Sequence, residues 1–467
     1  MDRAAYRATL ERLYQRRRFG IRPGLEVTRA LLGALGNPER RFPAVHVTGS
    51  KGKGSVAAMT QVILRAHGLR TGLFTSPHLA SYRERIVVDG RRISREAITR
   101  EVARIEAVSD ELVAARTIDR PVTFFEVTTA LALGHFARQK VDAAVVEVGI
   151  GGRLDATNVL DSRVGVLTTV ELEHTDILGP TVGAIATEKS GILHAGMTGI
   201  IGEIPPEARQ VVERTARQEG VALWNLGEEI RITDRTLSRD GQTLTITVPN
   251  HTLRSVHLPL LGRFQSGNAG LAVAASVRFF EAVGRPWDAE AARRGLEAVR
   301  WPGRLERGPG RPELFFDVAH TPESAVALVQ SLAEISPLAD PAESAIVFGS
   351  LAGKDVHRIL DALSLLARTL VVVPVRSTRS LPASELRAAA TGRFPRVVEA
   401  RTAAEALRLA RAATGPDGLT LVTGSDYLVG ELLPATDASD EPDLSDPGRE
   451  PGRRPPTVAP RRRSGGA

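Results

Sequence analysis

The fold can be worked out from one stretch near the start of the chain, Val45-His46-Val47-Thr48-Gly49-Ser50-Lys51-Gly52-Lys53-Gly54-Ser55. Apolar residues lead into a turn rich in glycine and lysine, and the apolar positions that follow it are spaced as in a helix. A strand, a glycine turn and a helix N-terminus in this order can bind phosphate, because glycine lets backbone N–H groups approach an anion and the helix dipole favours negative charge. Lys53 is then expected to reach the outer phosphates of a nucleotide.

The turn departs at two positions from the strict phosphate-loop pattern G-x-x-x-x-G-K-[ST]. Val47 stands where the first glycine belongs, and Gly54 stands where the hydroxyl residue belongs. An ordinary glycine turn between a strand and a helix is therefore the alternative interpretation. Lys51 and Lys53, which interrupt the glycines, favour phosphate binding.

Composition limits the classes of protein to consider. The 467 residues suffice for two or three domains, and a 42% hydrophobic content with few aromatic residues is typical of an α/β protein. The absence of cysteine excludes disulfides, thiolate metal sites and a thiol nucleophile. The N-terminus has no apolar signal region and no apolar run is long enough to cross a bilayer, so we expect a cytoplasmic protein with no membrane partner.

The basic residues carry a second signal. The net charge is +7, yet no basic helix interleaved with aromatic residues accompanies it, so we expect no nucleic-acid partner. Of the 61 lysines and arginines only five are lysines, namely Lys51, Lys53, Lys140, Lys189 and Lys354. Since an ammonium can be deprotonated or modified and a guanidinium cannot readily be, each lysine is a candidate for chemistry that arginine cannot perform.

Buried strands alternate with helices in the first half of the chain. Residues 143–148 and 164–168 are continuous apolar runs, as in the central strands of a parallel sheet, and a short strand predicted at residues 70–74 precedes a predicted hairpin. Four features fall where these strands end: the turn of residues 49–55, named the phosphate turn below, and Ser76, Glu147 and His174. Ligands of parallel α/β sheets bind outside the carboxyl ends of the strands, so we expect the site there.

The later part of the chain divides into further units. Residues 228–258 alternate polar and apolar residues around Asp240-Gly241, which predicts an antiparallel addition. A second α/β unit follows Trp301-Pro302-Gly303-Arg304. We therefore expect three parts: a large N-terminal domain at residues 1–297, a smaller C-terminal α/β domain at residues 298–434, and a disordered tail at residues 435–467, where apolar residues are almost absent.

A metal site is one interpretation of the strand ends. Glu147 ends a buried strand, where an unpaired carboxylate would be costly, so it should meet a cation. With Ser76 and His174 it forms an oxygen and nitrogen set that suits Mg²⁺ or Mn²⁺ shared with nucleotide phosphates. The alternative is a Glu–Arg ion pair beside a capping serine and a surface histidine.

Four more residues are candidates on weaker grounds. Lys189 is scarce by type and follows the His174 loop, although it could be an ordinary surface lysine. Asp317, at a strand end, could bind a ribose. Alternatively, Asp317 could be a helix N-cap, with His320 a nearby histidine that has no function. Arg304 could contact phosphate or bridge the domains. Together they suggest a nucleotide held in a cleft between two domains.

These residues, taken in order, resemble a known family. The relevant motifs are Thr48-Gly49-Ser50-Lys51-Gly52-Lys53-Gly54-Ser55, Thr75-Ser76-Pro77-His78-Leu79, Arg83-Glu84-Arg85-Ile86, Glu147-Val148-Gly149-Ile150-Gly151-Gly152-Arg153-Leu154-Asp155-Ala156-Thr157-Asn158, Glu188-Lys189-Ser190-Gly191-Ile192, Gln265, Asn268 and Trp301-Pro302-Gly303-Arg304. In this combination, over about residues 15–433, the chain resembles the folylpolyglutamate synthase/dihydrofolate synthase family of the Mur ligase superfamily. Ser50-Lys51, Phe264 and Val318 depart from residues common in the family.

The resemblance implies a fold and a set of roles. The fold would be the Mur ligase architecture, with a mostly parallel P-loop-type sheet in the N-terminal ATPase domain and a smaller Rossmann-like C-terminal domain. ATP would be bound by Gly49, Ser50, Lys51, Gly52, Lys53, Gly54, Ser55, Asn268, Arg304, Asp317 and His320. Mg²⁺ would be held by Ser76, Glu147 and His174, and Lys189 matches a lysine that the family carries as a carbamate. Lys53, Lys189 and His174 would be catalytic.

The same resemblance implies the reaction. Thr123, Phe125, Arg83 and Asp155 would lie near the pterin and the rest of the substrate, and a basic groove with Arg83, Arg85 and Arg153 would suit a polyglutamate tail. We expect a monomeric ligase that joins L-glutamate to a folate or to dihydropteroate, through an acyl phosphate made from ATP. A Mur-type ligase for another carboxylate and a regulatory P-loop NTPase are the alternatives.

Overall fold

The structure is a computed structural model that describes residues 3–20 and 22–433. The predicted disordered tail at residues 435–467 lies outside the described residues. The described part contains three β-sheets, of eight, three and six strands. The strands of the two larger sheets alternate with helices along the chain, which confirms the predicted α/β class.

The eight-stranded sheet contains the phosphate turn. Its strand order is β4-β3-β2-β5-β1-β6-β7-β8, and the six strands from β2 to β8 in that order are parallel. The predicted hairpin, β3 and β4, adds an antiparallel edge. The strands are β1 (Ala44–Thr48), β2 (Thr71–Phe74), β3 (Ile86–Val88), β4 (Arg91–Arg92), β5 (Ala143–Glu147), β6 (Ser162–Leu167), β7 (Thr198–Ile201) and β8 (Ala222–Asn225).

Helices cover both faces of this sheet, which is why its central strands are apolar throughout. One face packs against α1 (Arg3–Gln15), α2 (Glu26–Ala34), α4 (Arg95–Ala114) and α5 (Phe124–Arg138), and further along against α7 (Val182–Ser190) and α8 (Pro206–Glu219). The other face packs against α3 (Lys53–Ala66), α9 (Arg263–Ala282) and α10 (Ala289–Glu297). The short helix α6 (Thr175–Leu178) begins directly after His174. Among the described residues, no helix combines the length and the apolarity needed to cross a membrane.

The antiparallel addition has the predicted turn. Strands β9 (Arg231–Ser238), β10 (Gly241–Val248) and β11 (His251–Leu258) form the three-stranded sheet in the order β11-β10-β9. Leu244, Ile246 and Val256 turn their side chains into the same core as α3 and α9. The three-stranded sheet therefore shares its core with α3, the helix that begins at Lys53 of the phosphate turn.

The C-terminal sheet repeats the parallel design. Its order is β12-β13-β17-β14-β15-β16, with only β12 antiparallel to its neighbour. The strands are β12 (Glu306–Arg307), β13 (Glu313–Phe316), β14 (Ala345–Phe348), β15 (Thr369–Val372), β16 (Arg396–Glu399) and β17 (Leu419–Thr423). The helices are α11 (Pro322–Ile335), α12 (Val356–Leu363), α13 (Ala383–Ala390), α14 (Ala403–Ala413) and α15 (Asp426–Leu432).

We predict that Gly72→Ala destabilises the large sheet. A Cβ at Gly72 in β2 would lie 2.8 Å from the ring of the buried Phe136 on α5. Overpacking of this kind costs about 1–3 kcal/mol of the free energy of unfolding. Urea denaturation measures the loss. The matched control is Gly33→Ala in α2, where a Cβ would meet no atom of another described residue within 4 Å. Equal stability of the two variants would contradict the packing of α5 on β2.

Candidate active site between the two parallel sheets

The carboxyl ends of both parallel sheets face one cavity of about 920 Å³. The large sheet contributes residues that follow β1, β2, β5 and β6, and the C-terminal sheet contributes residues that follow β13 and β17. The lining includes most of the predicted site residues, namely Ser50, Lys51, Gly52, Lys53, Gly54, Ser55, Ser76, Arg85, Thr123, Phe125, Glu147, Arg153, Asp155, His174, Asn268, Arg304, Asp317 and His320. Gly49, Arg83 and Lys189 are the predicted residues outside this lining.

The phosphate turn is held in shape by the segment after β6. The backbone N–H of Ser50 donates to the Thr169 carbonyl at 2.9 Å, and the N–H of Lys51 donates to Thr169 Oγ1 at 2.9 Å. The Ser50 hydroxyl accepts the N–H of Glu171 at 2.9 Å. Three hydrogen bonds thus connect the turn to the segment after β6.

Glycine is required at the end of the turn. Gly52 has a φ of +84°, and a Cβ there would lie 2.6 Å from Asn268 Oδ1. Asn268 lies in the first turns of α9, where its Nδ2 donates to Gln265 at 3.0 Å, and Gln265 donates to Ser55 at 3.3 Å. The backbone of the turn thus packs directly against α9. This packing leaves no room for a side chain at Gly52, and it brings together residues that are more than 200 positions apart in the chain.

Lys53 lies inside the turn. Its Nζ donates to the carbonyl of Gly49 at 2.8 Å and to that of Ser50 at 3.3 Å. An ammonium held over a glycine turn at the N-terminus of α3 places positive charge where phosphate oxygens would lie.

Glu147 ends β5 as predicted, and its side chain is 4% exposed. Its Oε2 accepts the backbone N–H of Ser76 at 2.9 Å, which brings these two predicted residues together. Burial raises the pKa of Glu147, and Lys53 and the Ser76 N–H act in the opposite direction. Glu147 lines the cavity, where the charges of Lys53, Arg304 and Arg85 favour its carboxylate form.

Lys189 is buried on α7, where its Nζ donates to Glu173 at 2.9 Å. Burial lowers the pKa of Lys189 to about 8, with Lys53 adding to the effect. Burial alone would raise the pKa of Glu173, but Lys53 and Lys189 bring it down to about 2. Glu173 is a site residue that the sequence interpretation missed, although its position next to His174 was a usable signal.

His174 occupies a left-handed backbone conformation with a φ of +48° at the start of α6. Burial lowers its pKa, which favours the neutral imidazole that can act as a metal ligand. Within residues 3–20 and 22–433, no three His, Cys, Asp or Glu side chains lie close enough together to hold a metal ion by themselves. A metal here would need further oxygens, such as those of a nucleotide.

The C-terminal side of the cavity is built on Asp317, directly after β13. Its two carboxylate oxygens accept the N–H groups of Leu305 and Ala319, each at 2.8 Å. Burial raises the pKa of Asp317 to about 6, against the effect of Arg304. The Nδ1 of His320 donates to the Val318 carbonyl at 2.8 Å. Val318 is not among the residues with positive φ, so valine is accommodated where the family often has glycine.

Another part of the cavity lining combines cations with an aromatic ring. The guanidinium of Arg17 lies 4.7 Å from the centroid of Phe124, and that of Arg85 lies 5.5 Å from it. Arg85 is 5% exposed and its Nε donates to His78 at 2.7 Å. Cation–π contacts favour this arrangement. The sequence interpretation missed Arg17, because no pattern in the chain connects residue 17 with residue 124.

The remaining substrate candidates differ in their surroundings. Thr123 caps α5, and Phe125 follows it at the cavity wall. Arg153 is paired with Glu188, its NH2 donating at 2.6 Å. Arg83 does not reach the lining, because its Nε donates to the Ile93 carbonyl at 2.7 Å in the hairpin region. The predicted groove of Arg83, Arg85 and Arg153 is therefore not supported at Arg83.

The comparisons with known proteins agree with this architecture. Residues 47–276 match the Mur ligase middle domain, and residues 303–426 match the glutamate ligase domain of Mur ligases. A dihydrofolate synthase/folylpolyglutamate synthase of Mycobacterium tuberculosis is 38% identical over 386 residues, which are 80% of this chain and 79% of that protein. This chain belongs to the folylpolyglutamate synthase/dihydrofolate synthase family.

Two more comparisons concern a solved structure and a longer relative. The solved structure of Mycobacterium tuberculosis folylpolyglutamate synthase complexed with ADP superposes with a TM-score of 0.85 at 35% identity, covering 92% of this chain and 98% of that one. A probable bifunctional folylpolyglutamate synthase/dihydropteroate synthase of Haloferax volcanii is 36% identical over 439 residues. The match covers 91% of this chain and 50% of that protein, so the chain spans about half the length of this relative.

We predict that Glu173→Gln lowers the free energy of unfolding near neutral pH, by about 1–3 kcal/mol. The pKa of Glu173 is about 2 in the folded protein against an ordinary 4.5. A carboxyl group with a lowered folded pKa stabilises above its ordinary pKa and loses that contribution as pH falls. The difference between variant and wild type should therefore shrink from pH 4.5 towards pH 2, as urea unfolding at several pH values would measure.

The matched control for this prediction is Glu219→Gln, at the exposed end of α8. It should change the free energy of unfolding by less than about 0.5 kcal/mol at each pH. A loss in Glu173→Gln that stays constant over the acid range would contradict the charge pairing with the lysines.

Proposed function

We propose that the protein is an ATP-dependent ligase that joins the amino group of L-glutamate to a carboxylate of a folate, and that dihydropteroate is a second acceptor. The observation that carries the proposal is that the phosphate turn, the buried carboxylate of Glu147, Asp317 and the Arg85–Phe124 pair line one cavity. The cavity is large enough for a nucleotide and an acceptor together.

We infer that ATP lies along the phosphate turn. The residues of Gly49 to Ser55 would bind its phosphates through backbone N–H groups and Lys53, and Asn268 and Arg304 would contact the nucleotide from the side of α9. Asp317 and His320 would hold the ribose and phosphate side from the C-terminal sheet. The shaping of the turn by Asn268 supports this placement.

The metal-binding set would be Ser76, Glu147 and His174. Their hydroxyl, carboxylate and neutral imidazole fit Mg²⁺ if phosphate oxygens complete the coordination. Bound there, Mg²⁺ would neutralise charge that develops on the transferred phosphoryl group. Glu147 is oriented for this role by the Ser76 N–H, and its burial keeps competing water away.

Lys189 is the candidate for carbamoylation. Carbamate formation needs a neutral amine, and the burial of Lys189 lowers its pKa to about 8, so a usable fraction is neutral near pH 7 to 8. The reaction would replace the ion pair with Glu173 by an anion directed at the metal. An arginine in this position could not react in the same way.

The acceptor would lie at the Arg85 end of the cavity. Arg85 and Arg153 carry positive charge suited to the glutamate moiety of a folate, and Thr123, Phe125 and Asp155 would contact the pterin region. Asp155 can accept hydrogen bonds from ring N–H groups, and Phe125 offers an aromatic face. We leave Arg83 out of this proposal because of its position in the hairpin region.

The order of events follows from these positions. The acceptor carboxylate attacks the γ-phosphate of ATP, which gives an acyl phosphate and ADP, and Lys53 stabilises the charge on the phosphoryl oxygens. The amino group of glutamate then attacks the acyl carbon, and phosphate leaves from the tetrahedral intermediate. The protein contributes mainly positioning and charge neutralisation. Monomeric state and cytoplasmic location stay predictions from the sequence.

The proposal is tested by ADP release from purified protein with Mg·ATP, L-glutamate and an acceptor. We expect ADP release that depends on glutamate with a reduced folate, and again with dihydropteroate. No glutamate-dependent release with either acceptor would contradict the proposal. Turnover with another carboxylate alone would support a different Mur-type ligase, and hydrolysis without any amine acceptor would support an NTPase.

We predict that Glu147→Gln lowers kcat by about 10²–10³-fold and raises the Mg²⁺ concentration needed for half-maximal rate. The amide keeps the size of the side chain but removes the charge that would hold the metal and that acts on Lys53. The ADP-release assay at a series of Mg²⁺ concentrations measures both effects. Glu219→Gln is the control, and an unchanged Mg²⁺ dependence in Glu147→Gln would argue against its role as a ligand.

We also predict that Lys189→Arg keeps the positive charge but loses most activity, because a guanidinium is not carbamoylated. Bicarbonate should stimulate the wild-type enzyme and leave Lys189→Arg unaffected, and ¹³C NMR of the folded wild type in ¹³C-bicarbonate should show the carbamate carbon. The control is Lys140→Arg, at an exposed lysine after α5. Full activity of Lys189→Arg would contradict the carbamate.

A further inference from the structure

The buried histidine of the opening stretch has no role in the site described so far. His46 lies in the middle of β1, two residues before the strand ends, and its side chain is 1% exposed. It pairs in register with Val146 of β5 and Gly165 of β6, so it lies at the centre of the large sheet. Most polar groups buried this deeply have a hydrogen-bond partner that accounts for them.

The partner of His46 is Thr157, which is 0% exposed and 111 residues later in the chain. His46 Nε2 lies 2.8 Å from Thr157 Oγ1. Thr157 Oγ1 lies 2.6 Å from Asp155 Oδ1, and the Thr157 backbone N–H donates to the same oxygen at 3.0 Å. Three side chains thus form a chain of hydrogen bonds from the sheet centre to Asp155.

The direction of this chain follows from proton counting. A threonine hydroxyl has one proton, and the carboxylate of Asp155 can only accept it. The hydroxyl must therefore accept from His46, so His46 carries its proton on Nε2. Burial lowers the pKa of His46 to about 3, with a smaller effect of His194, and the ring stays neutral near pH 7.

Asp155 connects this chain of hydrogen bonds to the cavity wall. It lines the cavity, and its Oδ2 accepts the backbone N–H of Ile150 at 2.9 Å. Ile150 lines the cavity too, and the preceding Gly149 lies against the ring of Phe125. The orientation of one carboxylate therefore sets the position of the wall at the acceptor end.

We propose that His46 and Thr157 are positioning residues for acceptor binding, which act by fixing the Asp155 carboxylate and, through it, the wall formed by Ile150 and Phe125. The proposal rests on the function proposed above, in which the acceptor lies at this end. The phosphate turn has its own anchors on Thr169 and Glu171. The residue before the turn is linked to the segment around Asp155 by the bond from the Thr48 hydroxyl to the Gly151 carbonyl at 2.6 Å, which does not involve the Asp155 carboxylate. The effect should therefore be selective for the acceptor.

The test is a set of threonine variants assayed for ADP release. Thr157→Val keeps the shape and removes the hydroxyl, and it should raise KM for the reduced folate by about tenfold while KM for ATP changes by less than about twofold. Thr157→Ser restores the hydroxyl and should return both values to within about twofold of wild type. The control is Thr129→Val on α5, which removes a buried hydroxyl that has no hydrogen-bond partner among residues 3–20 and 22–433.

Two results would overturn the proposal: equal rises in KM for folate and for ATP, or kinetics of Thr157→Val that match Thr129→Val. If Thr157→Val does not fold, the ¹⁵N chemical shifts of His46 in the wild-type protein decide, since an Nδ1–H tautomer would refute the chain. Glutamate-dependent turnover of the wild type separates this inference from the proposed function. Without that turnover, calorimetric binding of the folate to the same variants replaces KM.

Discussion

The structure depends on the balance of buried charges at the carboxyl edge of the large sheet. Glu147 and Lys189 are almost fully buried, and a buried charge without a partner is costly. Glu173 balances Lys189 directly, and Lys53 acts on the pKa values of both Glu147 and Glu173. The phosphate turn, the carboxylate after β5 and the lysine of α7 are therefore parts of one electrostatic unit, although they come from three separate stretches of the chain.

This unit explains why the site needs two sheets. The large sheet supplies the lysines, the buried carboxylate and the acceptor end, but its cavity is closed by residues that follow β13 and β17 of the C-terminal sheet. Asp317 is held there by the N–H groups of Leu305 and Ala319, which fixes it at the strand end. Because parallel strands end at the same edge of their sheet, two such sheets facing one another bring many loop residues into one space. That geometry suits a reaction with a nucleotide and two further substrates.

Much of the fold could be predicted from local pattern. The apolar run into the glycine turn predicted β1 and α3, the alternation after residue 228 predicted the antiparallel sheet, and continuous apolar runs predicted β5 and β6. Ligands of parallel sheets bind at the carboxyl ends of the strands, and this rule predicted that Ser76, Glu147 and His174 lie at one edge. All three line the cavity. These successes rest on periodicity and on glycine, which act over a few residues. Arg83 lies outside the cavity lining, because its long side chain turns to the nearby carbonyl of Ile93, and the sequence carries no sign of that contact.

By itself the sequence determined the class of fold, the order of the elements, the phosphate turn and the scarcity of lysine that made Lys189 a candidate. The tertiary structure decided which of these groups meet. In the folded chain Lys189 contacts Glu173, Arg17 contacts Phe124, Gly52 contacts Asn268 and His46 contacts Thr157. Arg83 lies outside the cavity lining. The physical reason is that helix and strand periodicity is local, whereas hydrogen bonds and ion pairs between distant stretches depend on the register of strands and the packing of helices. Those are settled only when the whole chain folds.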